Sequence, residues 1–241
     1  MTYPKFFSRV GFCFFVLVTS VQAATLAYYE FTPNTLAAAS NPTTTGTNVT
    51  AGTFTSGGGV TLVLSSIGNP TPRSLYVTGD LVNQAIAPSS DDWMGFTVSA
   101  NSGSELDLAN LSFAYAYSYN GGTAPTTPAT FSVRSSIDNY GTSLATLTAS
   151  VGAVNAITWS NASVTLTDSA FQNLSTISFR IFLNDGSNVN AASYLRVDTV
   201  TLTGVTATVI PEPSSYALLA SMGALAWAGT RRRARSASGS R

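Results

Sequence analysis

Residues 24–208 predict an all-β domain, a single jelly-roll-like antiparallel β-sandwich, with one apolar segment on either side of it. Three observations lead there. Several runs alternate apolar and polar residues with period two, which puts alternate side chains on opposite faces of a strand. Clusters of Gly, Asn, Asp and Pro separate those runs, as turn residues do. No stretch between them repeats apolar residues with a helical period, and many short strands joined by turns favour a sandwich over an α/β fold.

In chain order the expected strands are Leu26–Phe31, Val60–Leu64, Leu75–Val77, Trp93–Val98, Leu111–Tyr119, Thr130–Ser135, Leu144–Ala149, Ser163–Leu166, Ile177–Leu183 and Tyr194–Val209. The turns Gly57-Gly58-Gly59, Gly68-Asn69-Pro70, Asn120-Gly121-Gly122 and Asn184-Asp185-Gly186 fall between them. Met94, Phe96 and Val98 oppose Trp93, Gly95 and Thr97 in one strand, and Ile177, Phe179, Ile181 and Leu183 share a face in another. "LSFAYAYSY" puts Leu111, Phe113, Tyr115, Tyr117 and Tyr119 on one face and only Ser and Ala on the reverse. The last strand changes phase, with Leu195 and Val197 on one parity and Val200 and Leu202 on the other. A bulge near Asp198-Thr199 reconciles them. Arg196 and Asp198 beside it are either aimed functional groups or, more ordinarily, a surface ion pair. Thr43 to Asn48 and Gly121 to Thr130 read as polar low-complexity loops.

Only 9% of the residues are charged, yet plentiful aromatic and β-branched residues separate the chain from disordered ones. The net charge of zero hides an asymmetry: the body holds Arg73, Arg134, Arg180 and Arg196 against ten acids, and the other cations sit at the two ends. An acidic body is the wrong surface for nucleic acid. There is no histidine and the one cysteine is Cys13, so a disulfide framework, zinc sites of Cys and His, and Ser-His or Cys-His nucleophile pairs are all excluded.

The ends read as addresses. Lys5 and Arg9 precede the apolar run Val10 to Val18, and Val21-Gln22-Ala23 offers small residues at the −3 and −1 positions. That is a signal peptide over residues 1–23, cleaved after Ala23, so the protein is exported. At the other end, Ser214 to Thr230 is uncharged and as a helix spans about 25 Å. Tyr216 and Trp227 sit near its ends, with Arg231, Arg232, Arg233 and Arg235 beyond. Aromatic ends and a cytoplasmic cationic flank suit a transmembrane helix over 214–230 with the body outside. Residues 236–241 form a cytoplasmic tail, and Pro211 and Pro213 hold Glu212 on an extended approach to the membrane.

Pro211-Glu212-Pro213, the hydrophobic run and the arginine cluster, in that order over 209–235, resemble the PEP-CTERM sorting signal of bacterial exopolysaccharide-associated proteins. The resemblance implies an exosortase, a membrane cysteine protease, as partner, with Pro211, Glu212, Pro213, Arg231, Arg232 and Arg233 as its recognition residues. "FRIFLNDG" at 179–186 and "LRVDTVTLTG" at 195–204 resemble the β-rich ectodomains that such tails carry. The resemblance implies an inner-membrane anchor first, then the cell surface or extracellular matrix after processing.

Two constellations bear on ligands. Trp93, Tyr115, Tyr117, Tyr119 and Trp159 are either a platform for sugar rings or core; the Ser and Ala reverse of the tyrosine strand favours core for that strand. Trp93, Trp159 and Tyr119, the last beside Asn120-Gly121-Gly122 at a strand edge, are the candidate ligand residues. Asp80, Asp91, Asp92 and Asp185 are loop carboxylates that can ligate Ca²⁺ through oxygen alone, against the ordinary reading of solvated loop charge. The reading that results is a non-catalytic envelope or extracellular-matrix protein with polysaccharide as its expected ligand. A carbohydrate-active enzyme using a carboxylate pair and a structural or adhesive surface protein are the alternatives.

Overall fold

The structure is a computed structural model that describes residues 22–79, 89–120, 127–150, 153, 155–185 and 193–209. The sorting motif, the apolar tail, nearly all of the signal segment and Asp80 lie outside the described residues. Among the described residues no helix is long and apolar enough to cross a membrane.

Thirteen strands follow in order: β1 (Ala24–Tyr29), β2 (Thr44–Thr45), β3 (Val49–Ala51), β4 (Thr55–Ser56), β5 (Val60–Ser65), β6 (Ser74–Gly79), β7 (Trp93–Ala100), β8 (Ser104–Tyr119), β9 (Ala129–Ser135), β10 (Ala145–Ala149), β11 (Thr158–Thr165), β12 (Thr176–Asn184) and β13 (Ser193–Thr208). They form two antiparallel sheets. One runs β11-β8-β13-β1-β2, with β6 and β5 added beyond β13; the other runs β10-β9-β12-β7-β3, with β4 also on β7. All ten expected strands are present, and every described pair is antiparallel.

The two longest strands, β8 and β13, pair along their whole lengths. Both carry irregularities, so neither keeps one parity. In β13 the register shifts between Asp198 and Thr201, and in β8 it shifts at Ala109, between Leu108 and Asn110. Each bulge moves the buried set by one position. Leu195 and Val197 give way to Val200 and Leu202, and Leu106 and Leu108 give way to Leu111 and Phe113, all buried. The β13 bulge lies where expected. It also separates the two partners on the far edge of β13: Leu195–Val197 pair with β6, and Val200–Gly204 pair with β1.

Thr44 and Thr45, expected as loop, form β2 against Tyr28 and Ala27. Their ordering force is the backbone ladder, extended by the Thr43 amide donating to the Tyr28 carbonyl at 2.7 Å, which a polar sequence does not advertise. β3 and β4 are similarly short and lie beside β7.

The core is aromatic-rich. Phe54, in the link between β3 and β4, stands edge-on to Tyr29 and to Phe31 with centroids 5.5 Å away in each case, and stacks on Phe96 at 5.6 Å. Phe96 continues the contact to Phe179 at 5.7 Å. One ring therefore joins the two sheets, and its chain neighbours Thr53 and Thr55 are exposed above it. Phe54→Ala is expected to cost about 3–5 kcal/mol, as for a fully buried ring, read as a lowered urea midpoint with secondary structure retained.

Candidate functional site

β7 and β12 are neighbours inside the six-stranded sheet, with Trp93 opposite Phe182, Gly95 opposite Arg180 and Thr97 opposite Ser178. Met94, Phe96, Phe179 and Ile181 fill the core, so strand alternation turns Trp93, Gly95, Thr97, Ser178, Arg180 and Phe182 outward. The Arg180 guanidinium carbon lies 4.1 Å from the centre of the Trp93 ring and 4.0 Å from that of Tyr140. The one cation therefore lies against both rings, each at van der Waals separation. Cation–π attraction strengthens as such a cation is withdrawn from water, and all three side chains are half-buried.

Tyr140 reaches this position from a turn. Asn139 and Tyr140 both adopt the left-handed conformation, at φ 55° and 61°, which is unfavourable for a bulky residue. The turn is held from two sides. Asp138 accepts from the amides of Gly141 at 3.1 Å and Thr142 at 2.7 Å, and hydrogen bonds from Thr142, chiefly its side chain, lower the pKa of the Asp138 carboxyl. Arg134 donates through Nη1 to the carbonyls of Tyr140 at 2.8 Å and Gly141 at 3.2 Å, and through Nε to Ser132 Oγ at 3.2 Å. The same guanidinium lies 5.5 Å from the Phe182 ring, which Tyr140 meets edge-on. An outward-facing phenylalanine is thereby fully buried.

The Trp93–Arg180–Tyr140 stack walls a pocket of about 320 Å³. Gly95 lies in its floor, where a Cβ would come within 2.1 Å of the Phe179 carbonyl oxygen. Thr53, Thr55, Thr97 and Ser178 supply hydroxyls around it. Thr97 and Ser178 pair their hydroxyls at 2.7 Å at the pocket, and beyond it the same face continues with Ser99 and Thr176 paired at 2.9 Å. From Trp93 to Ser99 that track is roughly 20 Å long at strand rise. Flat apolar ring faces, a fixed array of hydroxyls and an arginine suit a polyhydroxylated, extended ligand.

The structure separates the three expected ligand residues. Trp93 is in the pocket. Trp159 pairs with Ala116 on β8 and so lies on the outer face of the other sheet. Tyr119 does not emerge at an edge: it is 3% exposed, stacked on Tyr117 inside the core. The tyrosine strand faces inward because two facing sheets must bury their large apolar faces. Arg180 and Tyr140 were not legible as site residues, since only strand register and a strained turn bring them to Trp93. A weak signal for Arg180 was its place as a cation on the outward parity of a strand in a chain so poor in charge.

Of the calcium candidates, Asp91 is exposed, and Asp92 and Asp185 are buried at one end of the six-stranded sheet, where the Asp92 carbonyl accepts from the Leu183 amide at 2.9 Å. Among the described residues no three acids converge on a metal-sized site.

Arg196 and Asp198 are not a surface ion pair. They are 6% and 0% exposed and bind different partners. Arg196 donates to Ser65 Oγ at 2.7 Å and lies 4.9 Å from the Tyr76 ring and 5.5 Å from that of Tyr194. Asp198 accepts from the Asn69 amide at 2.5 Å, from Thr71 Oγ1 at 2.9 Å and from the Thr199 amide at 2.7 Å. It ties the turn before β6 to the β13 bulge. Burial pushes its carboxyl up to about 6, against the pull of those hydrogen bonds.

No family model and no curated protein matches the chain. Among solved structures it is similar to the CBM22-1 xylan-binding domain from Paenibacillus barcinonensis, at 16% identity and a TM-score of 0.39 over 79% of this chain and 100% of that one. It is similar also to the C-terminal family 22 carbohydrate-binding module of a Clostridium thermocellum protein, at 18% identity and 0.38 over 78% and 99%. A third is the K1 cleaved adhesin domain of Lys-gingipain from Porphyromonas gingivalis, at 11% identity and 0.36 over 76% and 98%.

The Asp198 carboxyl titrates near 3.9 when unfolded and near 6 when folded, so the folded state holds the extra proton between those values. Its contribution to stability is present at low pH and is lost as pH rises from about 4 to about 6. Asp198→Asn is expected to remove this falling component, worth at most about 3 kcal/mol. The check is the difference between wild-type and variant urea midpoints followed across that window.

Proposed function

We propose that this is an exported, non-catalytic protein of the cell envelope or extracellular matrix, whose jelly-roll-like sandwich binds polysaccharide at the Trp93–Arg180–Tyr140 pocket. The observation that carries the reading is the ring–guanidinium–ring stack over a hydroxyl-lined pocket on an outer sheet face. The described lining consists of rings, hydroxyls, backbone and one cation, groups that grip and orient a sugar. Glycoside hydrolysis instead calls for a pair of carboxyls across the bond to be broken. Asp198, with its raised pKa, is turned into a buried hydrogen-bond knot that fastens a turn.

The sorting half of the proposal rests on the sequence of the two ends. The signal segment exports the chain, the apolar tail holds it in the inner membrane, and an exosortase acts at Pro211-Glu212-Pro213 to pass it to the cell surface or matrix. Replacing those three residues with alanine is expected to leave the protein in the membrane fraction, where immunoblotting of fractionated cells finds it at its unprocessed size.

For the binding half, the full chain is tested by pull-down against the purified exopolysaccharide of the producing cell, with and without calcium. Saturable binding is expected, and Trp93→Ala or Tyr140→Ala weakens it by about tenfold or more, as for truncation of an aromatic anchor. Trp159→Ala leaves it unchanged. No saturable binding under either condition would remove the polysaccharide reading and leave a structural or adhesive role.

A further inference from the structure

We infer that the sugar bound at this pocket is acidic and that Arg180 takes its carboxylate edge-on; the inference rests on the polysaccharide-binding reading above. Arg180 differs from the other arginines of the body. Arg73 donates to Asn34 at 2.8 Å, Arg134 to Ser132 and two carbonyls, and Arg196 to Ser65. Arg180 makes no hydrogen bond or ion pair with a described residue, although it is half-buried. A guanidinium carries five N–H donors in a fixed planar fork. Trp93 and Tyr140 lie against the group at 4.1 and 4.0 Å, so a partner reaches the donors from the sides that the two rings leave open, along the N–H directions of the fork. A planar acceptor with two parallel oxygens fits that approach, and a carboxylate is such an acceptor.

The sheet supplies a second, independent observation. Register places Arg180 opposite Arg134, and the strand alternation turns both outward. Like charges directly opposite on one face are destabilising. Arg134 is engaged by the Tyr140 turn, which leaves Arg180 as the cation free to meet an anion that relieves the repulsion. No acid lies among the described residues of the pocket lining, so an incoming carboxylate meets no like charge there. The ligand class is therefore a polysaccharide bearing uronic acids or another carboxylated substituent.

The test uses the full chain and the producing cell's exopolysaccharide in three forms: native, carboxyl-reduced with carbodiimide and borohydride, and desulfated. Binding is read by calorimetry, once in a chelator and once with calcium. The expected result is that native and desulfated polymer bind alike and carboxyl reduction weakens binding about ten- to a hundredfold, the worth of a charge-assisted pair. Arg180→Lys, which keeps the charge and loses the fork, shows a similar loss toward native polymer and no longer distinguishes native from reduced. A wild-type urea midpoint for Arg180→Lys shows that the fold is intact, and the native-against-reduced comparison on the wild-type chain stands without any variant. Equal binding of native and reduced polymer overturns the acidic ligand and leaves the polysaccharide reading in place. Loss on desulfation alone also overturns the carboxylate. Failure of all three forms to bind overturns both readings.

Discussion

Everything in this sandwich is hung on the ladder between β8 and β13. These are the two longest strands, paired from Ser104 and Thr208 at one end to Tyr119 and Ser193 at the other. Strands that long cannot keep a flat, unbroken register, because twist accumulates along them. Bulges absorb the twist and re-aim the chain. The bulge at Asp198–Thr201 lets one strand serve two neighbours, β6 on one stretch and β1 on the next. The carboxyl of Asp198 fills the irregularity and catches the turn that leads into β6. A buried acid with a raised pKa is thus accounted for by architecture.

The facing sheet uses its freedom differently. Its inner face is fixed by Phe96, Phe131, Phe179 and their neighbours, so its outer face is free to carry polar chemistry. Three levels of structure converge there. Register sets Trp93, Gly95 and Arg180 within reach of one another. A strained turn, pinned by Asp138 and Arg134, brings Tyr140 over the same guanidinium. Two rings and two arginines interlock, so Arg134 supports Arg180 through Tyr140 while adding to the positive field. A site made this way is pre-organised, and little ordering remains to be done when a ligand arrives.

The fold class was legible because sheet burial writes itself into parity. Ile177, Phe179, Ile181 and Leu183 alternate, and so do Met94, Phe96 and Val98, and their strands lie where that alternation places them. The first half of β8 was missed because Ala109 breaks the phase between Leu108 and Leu111. β2, β3 and β4 were missed because two or three residues cannot display a period. Trp93 was legible as one aromatic of a candidate platform, and the structure puts it in the lining of the pocket. Tyr119 is buried despite the Gly-rich turn beside it, because it keeps the inward parity it shares with Tyr117. Arg180 and Tyr140 meet through cross-strand register and a turn conformation, neither of which a single sequence spells out.

The most direct measurement is a titration of the isotope-labelled protein with oligosaccharides cut from the producing cell's exopolysaccharide, observing the indole N–H resonances in a ¹H–¹⁵N spectrum. Trp93 and Trp159 lie on opposite outer faces of the sandwich, so each reports on one face. The expected result is a saturable shift of the Trp93 resonance with Trp159 unmoved. A saturable shift of Trp159 with Trp93 unmoved, or no shift of either, would contradict a polysaccharide site at the Trp93–Arg180–Tyr140 stack.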